Sequence, residues 1–236
     1  MSDPLDQNGT DYFVSVAKSA LGAVPGVGSA LSELAGSIIP RQRMDRLVDF
    51  ARLLEVRLGK ADQDLLRAKL TNENFVDLVE ESVRQAAQAV TDERKEYLTS
   101  LLAMGLSESH ISAAETRHLL RILGDINDVE IIWLRFYCSP TLNGDNEFRT
   151  KHAEVIKPIR TSLSSSQETR DRDALQKNYT EHLVSLGLLA RPLKCDARTR
   201  LPEFDAHTGN WKTGSPTVTP FGKLLLRHIG LQLPER

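Results

Sequence analysis

The chain has 236 residues, 30 basic against 32 acidic side chains and 40% hydrophobic residues. It is long enough to bury the core of one large or two modest domains, and too apolar and evenly charged to be a disordered tract. Two cysteines, Cys138 and Cys195, stand far apart without a Cys-x-x-Cys pair or a histidine cluster. They argue against a disulfide scaffold or a zinc module and fit a reducing compartment. The acidic, polar start Met1–Asp6 lacks a basic n-region, so a secretory signal is not expected and the predicted location is cytoplasmic.

Residues 1–10 read as a loose tail. From Tyr12 to Ile39 the chain is rich in small and apolar residues, broken at Pro25-Gly26, which forces a turn between two short helices. Lys18 and Glu33 interrupt the run, and each piece falls far short of the roughly 20 residues of a membrane span. Gly22 and Gly26 have Gly-x-x-x-Gly spacing, which carries little weight at a helix break. Two readings stand side by side. The segment is a tight helical hairpin packed on the core, or it associates with a membrane or protein partner on activation through Lys18, Leu21, Val24, Val27, Leu31, Leu34, Ile38 and Ile39.

Pro40 opens a helix in its favoured first-turn position, with Met44, Leu47, Val48, Ala51, Leu54 and Leu58 on one stripe until Gly59. A short helix is predicted over 61–70. Phe75, Val76, Val79, Val83, Ala86, Ala87 and Val90 form the next stripe, and a helix from Thr91-Asp92 carries Leu98, Leu101, Leu102 and Leu106. Ser112 and Glu115 have capping-box spacing before the helix of Leu119, Leu120, Leu123 and Ile126. Residues 11–126 therefore read as a helical bundle with a Gly/Ala-rich start.

Asn127 or Asp128 is predicted to cap a strongly apolar, buried helix over 129–138. A turn over 139–145 precedes a helix over 147–161, bent near Pro158. The serine-rich linker 162–166 leads, through capping-box spacing from Ser165 to Glu168, into a long helix burying Leu175, Tyr179, His182 or Leu183, and Leu186. Extended residues 188–193, a long polar loop over 194–215, extended residues 216–219 and a helix over 220–229 complete the chain. That order makes residues 127–236 a winged-helix-like unit with a small β-hairpin, its loop holding His207 and Trp211 as covers for the hairpin. The fold class is mainly α.

Charge is uneven along the chain. Residues 1–148 hold 15 basic and 23 acidic side chains, residues 149–236 hold 15 basic and 9 acidic. A basic surplus is the minimum that a phosphate backbone requires. On the long helix, Arg170, Arg172, Gln176 and Lys177 are candidate nucleic-acid contacts, with Arg198 and Arg200 in the loop after it, although Asp171, Asp173 and Glu181 oppose them. The histidines His110, His118, His152, His182, His207 and His228 are scattered one to an element without metal-ligand spacing. Adjacent acids such as Glu80-Glu81 point to different sides of a helix. No nucleophile elbow, phosphate-binding loop or dinucleotide fingerprint occurs, so neither catalysis, cofactor nor metal is predicted.

Several runs carry a family resemblance. Ile39-Pro40-Arg41-Gln42-Arg43-Met44 opens a long helix after a Pro-Gly-rich start, and Thr91-Asp92-Glu93-Arg94-Lys95-Glu96-Tyr97-Leu98-Thr99-Ser100-Leu101-Leu102-Ala103 fills the middle. Leu186-Gly187-Leu188 is followed at the end by Thr219-Pro220-Phe221-Gly222. This order resembles the bacterial abortive-infection alpha family, with Tyr97-Leu98-Thr99-Ser100 standing where that family carries Trp-Ala-Asn. The resemblance implies a bacterial cytoplasmic protein linked to phage resistance, with no catalytic residue to carry over. The expectation is a non-enzymatic phage-defence or stress-response protein working through protein partners, self-association or peripheral membrane contact. The alternative is a winged-helix DNA-binding regulator.

Overall fold

The structure is a computed structural model, describing residues 22–24, 28–29, 32, 43–59, 68–69, 71–107, 112–139, 145–162, 164–207 and 209–233. The chain divides into two compact units, residues 1–125 with 228–230, and residues 126–227 with 231–236. Mainly helical architecture is observed, with two small antiparallel sheets among the described residues.

The first unit contains α1 (Met44–Leu58), α2 (Glu73–Gln88), α3 (Asp92–Ser107) and α4 (Ala113–Asp125). α1 packs on α2 and α3, and both of those pack against each other and on α4. The apolar stripes dictate this arrangement. Leu47, Ala51, Leu54 and Leu58 are fully buried, and so are Leu98, Leu101, Leu102 and Leu106; each buried leucine contributes roughly 1.5–3 kcal/mol. Phe50 and Leu78, which lie off the predicted stripes, are also fully buried. Val90 is 80% exposed, because α2 stops at Gln88 and the helical period no longer turns it inward.

Short polar side chains define the helix starts. Asn72 accepts the Asn74 N–H at 3.0 Å, and the Thr91 hydroxyl accepts the Arg94 N–H at 3.1 Å. The predicted capping box before α4 forms, with Ser112 N–H donating to Glu115 at 2.8 Å and Glu115 N–H to Ser112 Oγ at 3.2 Å. Pro40 and the 61–70 helix, apart from Ala68 and Lys69, lie outside the described residues.

The second unit holds α5 (Asp128–Phe136), α6 (Asn146–Lys151), α7 (Ala153–Ile156), α8 (Gln167–Ser185), β1 (Leu189–Ala190), β2 (Phe204–Asp205), β3 (Asn210–Trp211), β4 (Thr217–Val218) and all but the last residue of α9 (Pro220–His228). Asn127 caps α5 in a complete capping box with Glu130. α5 buries Ile131, Trp133 and Leu134, while Ile132, Phe136 and Tyr137 stay half-exposed, so its apolar surface is covered on one side only. The turn at Pro140 and Asn143-Gly144 lies outside the described residues.

Three expectations for this unit are corrected. The 147–161 helix is two short helices ending at Ile156, and Lys157 is extended with ψ 120°; a residue before proline is driven out of the α region, and Pro158 follows it. α8 is capped by Ser166, not Ser165, whose hydroxyl accepts the Ser162 N–H at 2.8 Å instead. Leu175 is 54% exposed and only Thr180 and Leu183 of α8 are buried. The inward side of α8 runs through Thr169, Asp173, Gln176, Thr180 and Leu183. It faces the extended segment 157–161, whose backbone groups need partners. Gln176 donates to the Lys157 carbonyl at 3.1 Å and accepts the Ile159 N–H at 3.2 Å, while Thr161 Oγ1 donates to Asp173 at 3.2 Å.

Gly187, at φ +71°, ends α8 in the left-handed region that glycine tolerates. β1 then pairs with β4, Leu189 opposite Val218 and Ala190 opposite Thr217. The Thr-Pro-Phe-Gly run has a local explanation. Thr219 accepts the Gly222 N–H at 2.9 Å and donates to the Gly187 carbonyl at 2.7 Å. Pro220 takes the first helical position, and a Cβ on Gly222 would stand 2.3 Å from the Leu188 carbonyl oxygen.

Candidate functional site

Between β1 and β4 the polar loop over 194–215 folds on itself. Lys194 N–H donates to the Lys212 carbonyl at 2.9 Å, Lys212 N–H to the Glu203 carbonyl at 2.8 Å, and Glu203 N–H to the Lys194 carbonyl at 2.8 Å. Three extended segments, centred at every ninth residue, thus close a ring in which each pairs with both others. Leu193 lies opposite Thr213, Cys195 opposite Pro202 and Phe204 opposite Trp211.

Directly opposed residues of an antiparallel pair share a face, as do alternate residues of one strand. Leu193, Cys195, Pro202, Phe204, Trp211 and Thr213 therefore lie on one face, and Lys194, Glu203 and Lys212 on the other. The 3.0 Å Lys212–Glu203 ion pair agrees with that division, and it raises the Lys212 pKa above its ordinary value. The apolar face is open: Leu193 is 49%, Phe204 53% and Trp211 54% exposed. The Phe204 and Trp211 rings meet edge to face, with centroids 5.3 Å apart. Trp211 and His207, expected to cover a hairpin, are both exposed. Trp211 belongs to a face that no core covers among the described residues.

Two tight turns hold this head. In the first, Asp196 accepts the N–H groups of Arg198 and Thr199 at 3.0 and 2.7 Å and the Thr199 hydroxyl at 3.0 Å. Those bonds, the Thr199 N–H foremost, hold the Asp196 pKa below its ordinary value. Arg200 sits at φ +60° in the same turn. The second turn closes from Gly209 N–H to the Asp205 carbonyl at 2.8 Å. The carboxylates here are thus engaged locally. Among the described residues, the side chains of Lys194, Arg198 and Arg200 have no carboxylate at ion-pair distance.

The candidate contacts on α8 are placed differently. Arg172 pairs with Glu168 and Lys177 with Asp173, each at 2.7 Å one turn away, and the Lys177 bond lowers the Asp173 pKa. Gln176 is half-buried and engaged with residues 157 and 159. Arg170 is exposed on the same helix. Of the candidate membrane or partner segment, Val24 is buried at 2% exposure; Lys18, Leu21, Val27, Leu31, Leu34, Ile38 and Ile39 lie outside the described residues, as does His110.

Two polar clusters elsewhere bear on catalysis. In the second unit Glu130, 3% exposed, accepts the Asn127 N–H at 2.8 Å through Oε2 and meets His182 Nδ1 at 2.6 Å through Oε1. A carboxylate that orients an imidazole is part of a hydrolytic relay, but among the described residues this ring makes no hydrogen bond to a serine, threonine or cysteine. It links α5 to α8. In the first unit Lys95, 8% exposed, pairs with Asp49 at 2.7 Å and Asp92 at 2.8 Å, beside a groove also lined by Arg52, Leu53 and Glu96. Both carboxylates raise the Lys95 pKa, Asp49 most. Burial raises the Cys138 pKa, which makes its thiol a poor nucleophile at neutral pH.

Among the described residues no group of three or more His, Cys, Asp or Glu is placed to hold a metal, and no helix is long and apolar enough to cross a membrane. Compared with protein-family models, curated proteins and solved structures, the chain matches none.

Proposed function

We propose that this chain is a non-enzymatic binding protein that presents the head at 193–213 to a macromolecular partner. Its biological setting in this reading is the one the family resemblance implies, phage defence of the abortive-infection kind or a related stress response in the bacterial cytoplasm. The observation that carries the reading is the exposure of Leu193, Phe204 and Trp211 on one face of a small, tightly hydrogen-bonded unit. A contiguous apolar patch rimmed by polar residues marks an interaction site more often than an isolated exposed side chain does. Preorganised turns limit the entropy lost when a partner orders that surface. The test is phage plating on a host expressing the protein. Wild type is expected to reduce plaque numbers, and the Phe204→Ser/Trp211→Ser pair to lose that effect while remaining folded. Equal plating with and without expression would remove the defence role.

The second reading is the winged-helix DNA-binding regulator. It is supported by the succession of α8, β1, a ribbon, β4 and α9. The pairing of Arg172 and Lys177 with carboxylates on their own helix, and of Gln176 with the backbone, leaves α8 with few side chains free to read a groove. Duplex binding that survives charge reversal of Arg170 and Lys177 would remove this use of α8.

A further inference from the structure

We propose that the head at 193–213 binds single-stranded nucleic acid, with unpaired bases on Phe204 and Trp211 and phosphates on Arg198 and Arg200. This rests on the reading of the head as the binding surface and names its ligand. Two observations converge on it. Two aromatic rings stand more than half exposed on one face, where every base can stack without sequence choice. Two cations of the Asp196 turn, Arg198 and Arg200, lack a carboxylate partner among the described residues, while the nearby Asp196 and Glu203 are held by their own neighbours. The two guanidinium groups favour an anionic ligand, and the rings favour one with accessible π-faces.

The geometry favours a single strand over a duplex. In a duplex the base faces are already stacked, and exposed rings gain nothing without unstacking them. The 77° angle between the two rings keeps them from lying as one flat platform, so each takes a separate base. A lipid surface fits less well. Both turns carry charged or polar side chains, Asp196, Arg198, Thr199 and Arg200 at one and Asp205 and His207 at the other. Leu193, Phe204 and Trp211 lie on the flat face between them, and exposed Leu201, two residues before Glu203, lies with it on the other face. An insertion into a bilayer would have to carry those charged turns with it.

The experiment uses the full chain and its own fluorescence. The sequence has two tryptophans, and Trp133 is 6% exposed against 54% for Trp211, so stacking of a base reads out on Trp211. Oligo-dT and oligo-U of twenty nucleotides, a duplex of mixed sequence and vesicles of phosphatidylcholine with phosphatidylglycerol are titrated in parallel over a salt series. Quenching by the single strands is expected, tighter than the duplex, with affinity falling as salt rises. Phe204→Ala should weaken binding on the order of ten-fold. Arg198→Gln with Arg200→Gln should flatten the salt slope by about 1.4, two phosphates at about 0.7 each. Circular dichroism checks that each variant is folded, and both substitutions are at exposed positions.

Absence of single-strand binding at low salt, binding unchanged by both variants, or quenching by vesicles alone would overturn the proposal. The two levels fail separately. If head variants abolish phage protection but no oligonucleotide binds, the head is a binding surface for something else. If oligonucleotides bind through the head but plating is unaffected, the ligand stands and the defence role falls.

Discussion

The helices α2 and α8 have similar lengths, 16 and 19 residues, and are held in place by different physics. α2 buries seven residues, four of them apolar side chains larger than alanine, Phe75, Leu78, Val79 and Val83. α8 buries Thr180 and Leu183, and its first half is fastened by Asp173 and Gln176 to an extended stretch of backbone. A helix specified by burial announces itself through the 3.6-residue period. A helix specified by hydrogen bonds to a neighbouring loop shows a polar surface all round, and its inward side cannot be told from its outward one by hydropathy. The aromatic side chains differ in the same way: Phe50 and Phe75 of the first unit are buried, whereas Phe204 and Trp211 of the second are 53% and 54% exposed on the open face of the head.

The most severe test of that contrast is a pair of truncations. Leu102→Ala in α3 removes a fully buried side chain and should cost about 2–5 kcal/mol, measured by denaturant unfolding. Leu175→Ala, at 54% exposure on α8, should stay within about 0.5 kcal/mol. If the two cost the same, the assignment of α8 as a polar-fastened helix is wrong.

A second substitution probes packing between α3 and α4. A Cβ on Gly105 would stand 2.5 Å from Thr116 Cγ2 and 2.8 Å from its Oγ1. Thr116 is buried, stiff at χ1 and bonded to the Ser112 carbonyl at 3.0 Å. It cannot swing away, so Gly105→Ala should destabilise by about 1–3 kcal/mol. Trimming Thr116 to alanine in the same chain should recover part of that loss; no recovery would mean the strain arises elsewhere.

In the second unit the corresponding test is polar. Glu130→Gln keeps the volume but replaces the acceptor that serves both the Asn127 N–H and His182. A loss of roughly 1–3 kcal/mol is expected for a buried, charge-assisted link. Asn127→Ala alone should cost about 1 kcal/mol as a lost cap. A double-mutant cycle with His182→Ala, read by thermal unfolding, reports the coupling directly; a coupling near zero would show that α5 and α8 are joined by packing instead.

How much of this was legible in the sequence follows the same division. The helices of the first unit, their Leu stripes at 98–106 and the Ser112–Glu115 box could be read because apolar spacing and capping chemistry act over four residues. The Asn127 cap and the β1–β4 pairing after Gly187 could be read for the same local reason. Phe50 and Leu78 lie off those stripes and are buried all the same, because a core receives more of a helix than one narrow stripe. Hydropathy points Leu183 inward correctly, but it points Leu175 inward too, where the inward residues are Gln176 and Thr180. The head escaped altogether. Its ring joins residues 194, 203 and 212, and nothing in Lys, Glu and Lys at those positions signals a backbone hydrogen bond. The Arg198 and Arg200 pair was visible as charge, but the exposure of Trp211 depends on having no second layer beneath it, a tertiary fact.

The smallest effects expected are electrostatic, and they differ in sign between Lys95 and the carboxylates Asp173 and Asp196. Charged Lys95 is favoured in the folded protein, so its folded pKa lies above the unfolded one. Its contribution is complete below the ordinary lysine value of about 10.4 and fades as pH rises through the folded pKa. Asp173 and Asp196 have folded pKa values below the unfolded ones. Their contributions are complete above about pH 3.9 and fade as pH falls through the folded values. Both carboxylates are open to solvent, which screens them, so the acid effect should be slight. Lys95→Met should therefore reduce the drop in melting temperature between pH 9 and pH 11, whereas Asp173→Asn should leave the acid limb of the profile nearly unchanged. A large acid effect of Asp173→Asn would show that the polar fastening of α8 depends on that charge and not on the geometry of Gln176.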